Sequence, residues 1–176
     1  LGASFCFLLI AAMPLQLHLG HPERGFNVMV TPNFTSAMAG FGILYTFYLM
    51  IVTLEVWFVY RQEIIEKARR SRGLKRKLYA ALALWTYDTS PEAVEIDHRA
   101  VKLLTAIGLP SACMLHGYVG FIFGSIKANP WWSTPLMPSV FLFSAIVSGI
   151  ATVMLLYMAV TRLRGREIDM RCVDTI

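Results

Sequence analysis

Charged residues are scarce in this sequence. Only 15% of its 176 residues are Asp, Glu, Lys or Arg, whereas 56% are hydrophobic. A soluble protein of this size would have too little charge to cover its surface, so the composition predicts an integral membrane protein. The net charge of +5 does not indicate a nucleic-acid partner. The Lys and Arg residues cluster at the ends of apolar segments, where positive charge sets the orientation of membrane proteins.

Cysteine is also rare, and the three cysteines lack the spacing of a metal site. Cys6 and Cys113 lie within apolar segments, where we expect inert thiols. The sequence begins with Leu inside an apolar run and shows neither a basic n-region nor a small-residue cleavage site, which argues against a signal peptide. We therefore expect an internal piece of a longer protein.

Four long apolar runs dominate the sequence. They predict transmembrane helices at about residues 1–19, 36–60, 100–126 and 135–162. Each run has the roughly 20 residues that a helix needs to cross a hydrocarbon core of about 30 Å. Continuous apolar runs without strict alternation favour helices over a barrel. The predicted fold is all-α, a polytopic membrane helical bundle whose single membrane domain covers residues 1–176.

The connecting loops predict the orientation of these helices. Most of the Lys and Arg residues lie in the connector at 61–99 and in the C-terminal end, and basic loops stay on the cytoplasmic side. Residues 21–35 and 127–134 are then expected on the opposite, periplasmic face. Mixed charges over residues 62–77 predict that the second helix extends into water, and residues 78–85 are expected along the membrane interface.

Two further patterns predict local structure. Gly117, Gly120 and Gly124 recur at helical spacing and predict a small-residue face that another helix can approach closely. Ser90 followed by Pro91 predicts the start of a short helical turn in the basic connector.

An ionisable side chain inside a bilayer is costly unless it is paired, so each one needs a reason. His116 lies deepest, and its ring suits proton or quinone chemistry, a structural bond between helices, or ligation of a metal or haem. Glu55 suits an ion pair with Arg61 or a role in proton uptake. His18 and His21 place polar side chains together near one membrane face, which suits a functional site. The alternative is that they belong to an ordinary helix-capping loop.

Two stretches carry a family resemblance. Residues 17–40, LHLGHPERGFNVMVTPNFTSAMAG, resemble the Leu-Gly-Arg-Pro region of the NrfD/PsrC family, the membrane subunits of polysulfide reductase and related respiratory complexes. His21 stands where that phrase has Arg. Residues 97–151, DHRAVKLLTAIGLPSACMLHGYVGFIFGSIKANPWWSTPLMPSVFLFSAIVSGIA, resemble the family's later helical hairpin, especially in the DsrP/HmcC-like members of sulfur-metabolism electron-transfer complexes. Family members carry eight to ten helices, so the resemblance implies that the four helices here are part of a larger protein.

The resemblance also implies a function. The chain would belong to a quinone-interacting subunit of a respiratory oxidoreductase complex in a prokaryotic cytoplasmic (inner) membrane, which is not catalytic alone. It would pass electrons between menaquinone or ubiquinone, bound as an exchangeable substrate, and a periplasmic four-cluster iron–sulfur ferredoxin-like subunit. Cytochromes or a catalytic reductase would be further partners. Whether the subunit also translocates protons stays open. No haem or metal is expected in this subunit.

A quinone headgroup needs hydrogen-bond partners and proton donors beside an apolar cleft. The residues expected to bind quinone near the periplasmic face are His18, His21, Arg24, Asn33 and Tyr45. A proton path is expected through His116, Glu55 and Asp97, and no catalytic residue is assigned.

Two other hypotheses stay open. A haem b anchor would use His18 and His116, on different helices, as axial ligands. Their expected depths differ by one to two helical turns, about 5 to 10 Å, which counts against this pair. A passive membrane anchor of a redox complex would use its polar residues only to dock a partner.

Overall fold

The structure is a computed structural model that describes residues 1–17, 20–25, 27–31, 33 and 35–167. Every regular element in those residues is a helix, which confirms the predicted all-α class. The elements are α1 (Gly2–Leu17), a 3₁₀ turn (Pro22–Arg24), α2 (Asn27–Val30), α3 (Ala37–Arg70), α4 (Leu74–Leu82), α5 (Pro91–Gly124) and α6 (Met137–Leu163).

Three of these helices are long and apolar enough to cross a membrane. The helices α3 and α5 have 34 residues each, and α6 has 27. At 1.5 Å per residue even α6 is about 40 Å long, whereas a hydrocarbon core is about 30 Å thick. The predicted first span coincides with α1, a shorter apolar helix of 16 residues. Residues 18 and 19 of that predicted span lie outside the described residues.

The basic connector is largely helical. The helix α3 continues past Tyr60, the predicted end of its membrane span, and stops at Arg70. The prediction that it extends to Lys77 is therefore wrong at its end. The backbone leaves the helix at Ser71, whose φ and ψ of −83° and 155° are extended, and Gly73 follows with a φ of +65°, in the left-handed region that glycine adopts readily. The helix α4 begins directly after it, at Leu74.

The helix α5 begins in the polar connector, before the apolar run that predicts it. The Oγ atom of Ser90 accepts a hydrogen bond from the Ala93 N–H at 3.2 Å, and Pro91 occupies the first helical position. Both features stabilise a helix start. An ion pair of 2.6 Å between Glu95 and Arg99 follows one turn later. Ser90 and Pro91 thus start a helix of 34 residues rather than the predicted short turn.

The chain forms two compact units that divide after Leu115. In the first unit, α4 packs against the polar end of α3. The contact buries small and medium side chains, with Ile65 and Ala68 on α3 and Ala80 and Ala83 at the end of α4. Small side chains let the two backbones approach closely, and this packing places the connector beside α3.

In the second unit, two glycines allow close packing between the end of α5 and the start of α6. A Cβ atom on Gly120 would lie 2.5 Å from the Met137 carbonyl oxygen, and one on Gly124 would lie 2.9 Å from the Thr134 carbonyl oxygen. The predicted small-residue face is confirmed at these two positions. At Gly117 the prediction is not tested, because an added Cβ would meet no atom of the described residues within 4 Å.

Candidate functional site

The loop after α1 carries three exposed polar side chains. His21 precedes the 3₁₀ turn of Pro22–Arg24, in which proline sets the backbone angle of the first residue. The Nδ1 atom of His21 lies 3.0 Å from the Glu23 carboxylate, and Arg24 is exposed at the end of the turn. An imidazole beside a carboxylate and a guanidinium can exchange a proton and donate hydrogen bonds. His18 lies outside the described residues.

Asn33 shapes the entry to α3. Its Oδ1 atom accepts hydrogen bonds from the Thr35 backbone N–H at 3.1 Å and from the Thr35 hydroxyl at 2.7 Å. Its backbone carbonyl accepts a bond from the Ser36 N–H at 2.9 Å. These local hydrogen bonds form an Asx turn before the helix, so the amide oxygen of Asn33 is already engaged as an acceptor within the turn.

Tyr45 connects α1 with α3. Its side chain is buried, and its hydroxyl donates a hydrogen bond to the backbone carbonyl of Leu8 on α1. Tyr45 lies eight residues after Ala37, so it is about 12 Å along α3 from the helix start that follows the turn at Asn33. The expected quinone residues that the structure describes therefore occupy two levels, a polar loop and a buried contact between helices.

An apolar groove lies on α3 next to Tyr45 in sequence. It has a volume of about 280 Å³ and is lined by Gly42, Ile43, Thr46, Phe47 and Met50. The Thr46 hydroxyl donates a hydrogen bond of 2.8 Å to the Gly42 carbonyl. Because this polar group is already paired, the groove is mainly apolar. A groove of this kind accommodates an apolar chain rather than a polar headgroup.

A buried polar cluster joins α3 to α5. The Nη1 atom of Arg61 lies 2.6 Å from Asp97 Oδ1, and the amide of Gln62 donates to Asp97 Oδ2 at 3.1 Å. The side chains of Arg61 and Asp97 are only 13% and 7% exposed. Among the described residues, the Nε atom of Arg61 is a buried donor without a hydrogen-bond partner. Both carboxylate oxygens of Asp97 are thus used in binding α3.

Trp57 extends this cluster towards α4. The guanidinium of Arg61 lies 5.6 Å from the centre of the Trp57 ring, within the range of a cation–π contact. The indole N–H of Trp57 donates to the Leu82 carbonyl at 2.7 Å, which satisfies a carbonyl in the last turn of α4.

Glu55 makes a different contact from the one expected. Its carboxylate accepts a hydrogen bond of 2.7 Å from the Thr105 hydroxyl on α5, while the cation Arg61 is paired with Asp97. The expected ion pair between Glu55 and Arg61 is therefore wrong. The hydroxyl of Thr105 thus gives one carboxylate oxygen of Glu55 a hydrogen-bond partner on α5.

Asp97 and Glu55, two of the three expected proton-path residues, make separate contacts between α3 and α5. Asp97 bonds to α3 at Arg61, and Glu55 bonds to α5 at Thr105. Asp97 and Thr105 are eight residues apart on α5, a rise of about 12 Å. His116 lies further along α5 and belongs to the second unit. Protons would need water or other side chains between Asp97 and Glu55.

In the described part of the chain, no group of three or more His, Cys, Asp or Glu side chains could hold a metal ion. The haem hypothesis pairs His116 with His18, which lies outside the described residues.

Three contact residues were missed in the sequence: Gln62, Thr105 and Trp57. Gln62 directly follows the first cation of α3, and the start signal at Ser90 would have placed Asp97 within a helix. No local signal pairs Thr105 with Glu55, because the two residues are 50 positions apart and each is unremarkable in its own helix.

Comparisons with known proteins cover the chain along nearly its whole length. It is 31% identical to a selenate reductase subunit of Mesobacillus selenatarsenatis over 89% of this chain and 38% of that protein. It is 27% identical to a putative dimethyl sulfoxide reductase membrane subunit of Halobacterium salinarum over 92% of this chain and 34% of that protein. It is 28% identical to Protein NrfD of Escherichia coli over 90% of this chain and 45% of that protein.

The chain thus spans less than half the length of these curated relatives. No solved structure matches it significantly. The family model described as polysulphide reductase, NrfD, matches residues 1–176. With spanning helices and a match over every residue, this chain belongs to the NrfD family of membrane proteins.

Proposed function

We propose that this chain is part of a quinone-interacting membrane subunit of a respiratory oxidoreductase complex in a prokaryotic cytoplasmic membrane. The subunit passes electrons between menaquinone or ubiquinone and a periplasmic iron–sulfur subunit, and it is not catalytic alone. The observation that carries this proposal is the NrfD match over residues 1–176. It is supported by relatives named as subunits of selenate and dimethyl sulfoxide reductases. A catalytic reductase or cytochromes complete the complex.

The distribution of cations supports an orientation. Seven Lys and Arg residues lie between residues 67 and 77, after the apolar part of α3, and Arg162 and Arg164 end α6. Basic segments remain cytoplasmic, so these ends face the cytoplasm. The loop with His21 and Arg24 then faces the periplasm. That is the face where an iron–sulfur partner can exchange electrons with the subunit.

The quinone headgroup binds near the periplasmic loop. His21 and Arg24 are exposed there and can donate to a quinone carbonyl oxygen, with His18 and Asn33 beside them in sequence. Tyr45 lies deeper and can serve only by exchanging its bond with Leu8. The apolar groove on α3 offers space for part of an isoprenoid tail.

Proton translocation, if it accompanies electron transfer, uses the polar residues at membrane depth. Glu55 is the strongest of the three proposed stations, because it is held by a neutral hydroxyl and can gain or lose a proton without breaking an ion pair. Asp97 must leave Arg61 to take part. His116 supplies an imidazole nearer to the other end of α5.

The test uses the full-length protein purified with its complex. A reduced-minus-oxidised optical spectrum detects haem, and titration with a quinol analogue measures binding. We expect saturable binding of the analogue and no haem signal from this subunit. A haem b signal assigned to it would favour the cytochrome hypothesis, and the absence of both signals would favour a passive anchor.

A matched pair of variants locates the headgroup. Arg24→Gln should weaken quinol-analogue binding about tenfold, because it removes a hydrogen bond from a charged donor. Lys127→Gln removes an exposed cation from the other loop predicted on the same face and should leave binding unchanged. Equal effects of the two variants would contradict a specific site at Arg24.

A further inference from the structure

The helix α4 has two opposite faces of different character. Ala80 is buried against α3, and Leu74, Leu78 and Leu82 are exposed. These three leucines are four residues apart, so they form one row along the helix. At about 100° per residue, Leu78 lies about 160° around the helix from Ala80, so the leucine row points away from α3. This row is large and apolar, and the described residues leave it exposed.

Cations flank this leucine row. Lys75 and Lys77 lie on either side of it and are exposed, and Arg76 is exposed between them in sequence. The sequence contains no acidic residue from position 67 to position 87. An apolar row with cations along both edges is complementary to a surface that is apolar inside and negatively charged outside.

The contacts with α3 place the end of α4 where the apolar part of α3 ends. Trp57 bonds to the Leu82 carbonyl, and Arg61, one turn later on α3, is the first cation after the apolar segment. Lys77 is five residues before Leu82, a rise of about 7 Å along α4.

The turn after α4 provides an independent observation. Leu84 and Trp85 have φ angles of +51° and +58°, in the left-handed region that bulky residues rarely adopt. The Leu84 N–H bonds to the Ala81 carbonyl at 3.0 Å and the Trp85 N–H to the Ala80 carbonyl at 2.9 Å. These are the two bonds of a Schellman motif, whose left-handed position is usually glycine. Here that turn instead carries side chains of Leu84 and Trp85 that are 66% and 68% exposed.

We infer that α4 and its terminal turn bind the anionic headgroup layer of the membrane. Lys75, Arg76 and Lys77 contact phosphate groups of acidic phospholipids, while the leucine row and Trp85 enter the acyl boundary. Contact of Leu84 and Trp85 with lipid offsets the strain of their backbone conformation. The partner is a lipid surface, and this surface is distinct from the proposed quinone loop.

The test measures fluorescence quenching of Trp85 by lipid. Full-length protein is placed in nanodiscs in which a minor fraction of either phosphatidylglycerol or phosphatidylcholine carries brominated acyl chains. The signal of Trp85 is the difference between the natural protein and its Trp85→Phe variant, which keeps an aromatic ring in the turn. We expect stronger quenching by brominated phosphatidylglycerol, since each cation near an anionic surface enriches acidic lipid by up to about fivefold at low salt.

Two variants that each remove three positive charges test whether the cations of α4 cause the preference for phosphatidylglycerol. The triple variant Lys75→Gln, Arg76→Gln, Lys77→Gln should abolish the preference for phosphatidylglycerol while quenching by phosphatidylcholine persists. The control triple variant Arg162→Gln, Arg164→Gln, Arg166→Gln removes the same charge from the end of α6 and should retain the preference. Equal quenching by both lipids in the natural protein, or loss of the preference in both variants, would overturn the inference. Absence of Trp85 quenching by either lipid would also overturn it and indicate a protein covering this face.

Discussion

Arg61 on α3 and Asp97 on α5 form an ion pair of 2.6 Å that is almost fully buried within the first unit. The two residues are 36 positions apart, and Gln62 adds a second bond from α3 to the same carboxylate. A buried charge pair of this kind specifies one register between two helices, because any shift would leave one charge without its partner. The start of α5 is fixed on α3 by this contact.

Replacing Asp97 with Ala should destabilise the protein by about 3 kcal/mol, because the guanidinium of Arg61 loses its partner while it stays buried. Thermal unfolding of the full-length protein in nanodiscs measures the loss. Glu95→Gln is the matched control. It breaks an ion pair of the same length with Arg99, but that pair is exposed and should contribute less than about 0.5 kcal/mol. Equal losses in the two variants would contradict a buried ion pair at Asp97.

Removing both charges should restore much of the stability. The double variant Arg61→Leu, Asp97→Leu leaves no uncompensated charge, and apolar replacements of buried ion pairs are often neutral. The double variant should therefore unfold at a higher temperature than Asp97→Ala alone. If it is equally unstable, the cost lies in packing rather than in the unpaired charge.

Gly120→Ala should disrupt the hairpin between α5 and α6, because its Cβ would lie 2.5 Å from the Met137 backbone, which cannot rotate away. The expected loss is about 2 kcal/mol or more, the range for overpacking. Protease resistance of the hairpin and thermal unfolding report it. Gly117→Ala is the control on the same helix. An added Cβ there meets no described atom within 4 Å and should stabilise the helix by up to about 1 kcal/mol, because Ala is the better helix former. Equal destabilisation by both would refute the close approach.

Asp88 should make the start of α5 sensitive to acid. The hydrogen bond from the Ser90 backbone N–H to its carboxylate, 2.9 Å long, lowers the pKa of Asp88 below its ordinary value of 3.8. A lowered folded-state pKa stabilises the protein above the unfolded-state pKa, and this contribution is lost as the pH falls through the folded-state value. As the pH falls from about 5 to about 2, stability should therefore fall more in the natural protein than in Asp88→Asn. The amide of Asn keeps an acceptor oxygen but does not titrate, so identical pH profiles would contradict this role.

The apolar runs predict the helical class and the positions of the spans because burial in lipid depends on composition over a long window. They do not predict where α5 begins. Its first turns are polar and are stabilised by Ser90, Pro91 and the Glu95–Arg99 pair, so apolar content underestimates the helix. For the same reason, the apolar runs do not predict the contact between Asp97 and α3. Once α5 is extended to Pro91, Asp97 becomes a helical residue that can face α3.

The contacts of Glu55 show a second limit of prediction from sequence, which concerns pairing between helices. Sequence distance favours Arg61 as its partner, since the two residues lie within two turns of one helix. Asp97 takes that cation instead, and Thr105 supplies the hydroxyl to Glu55. Which of two carboxylates receives a single guanidinium depends on the register between α3 and α5. That register is a tertiary property that no local pattern contains.

Tyr45→Phe separates a structural role of the hydroxyl from a role in quinone binding. Losing the bond to Leu8 should cost about 1 kcal/mol of stability in either case. If Tyr45 also bonds the quinone, quinol-dependent electron transfer should fall about tenfold, mainly through weaker quinol binding. Tyr60→Phe at the far end of the apolar part of α3 is the control and should leave turnover unchanged. Lower stability with unchanged turnover would assign Tyr45 to packing α1 on α3 and remove it from the quinone site.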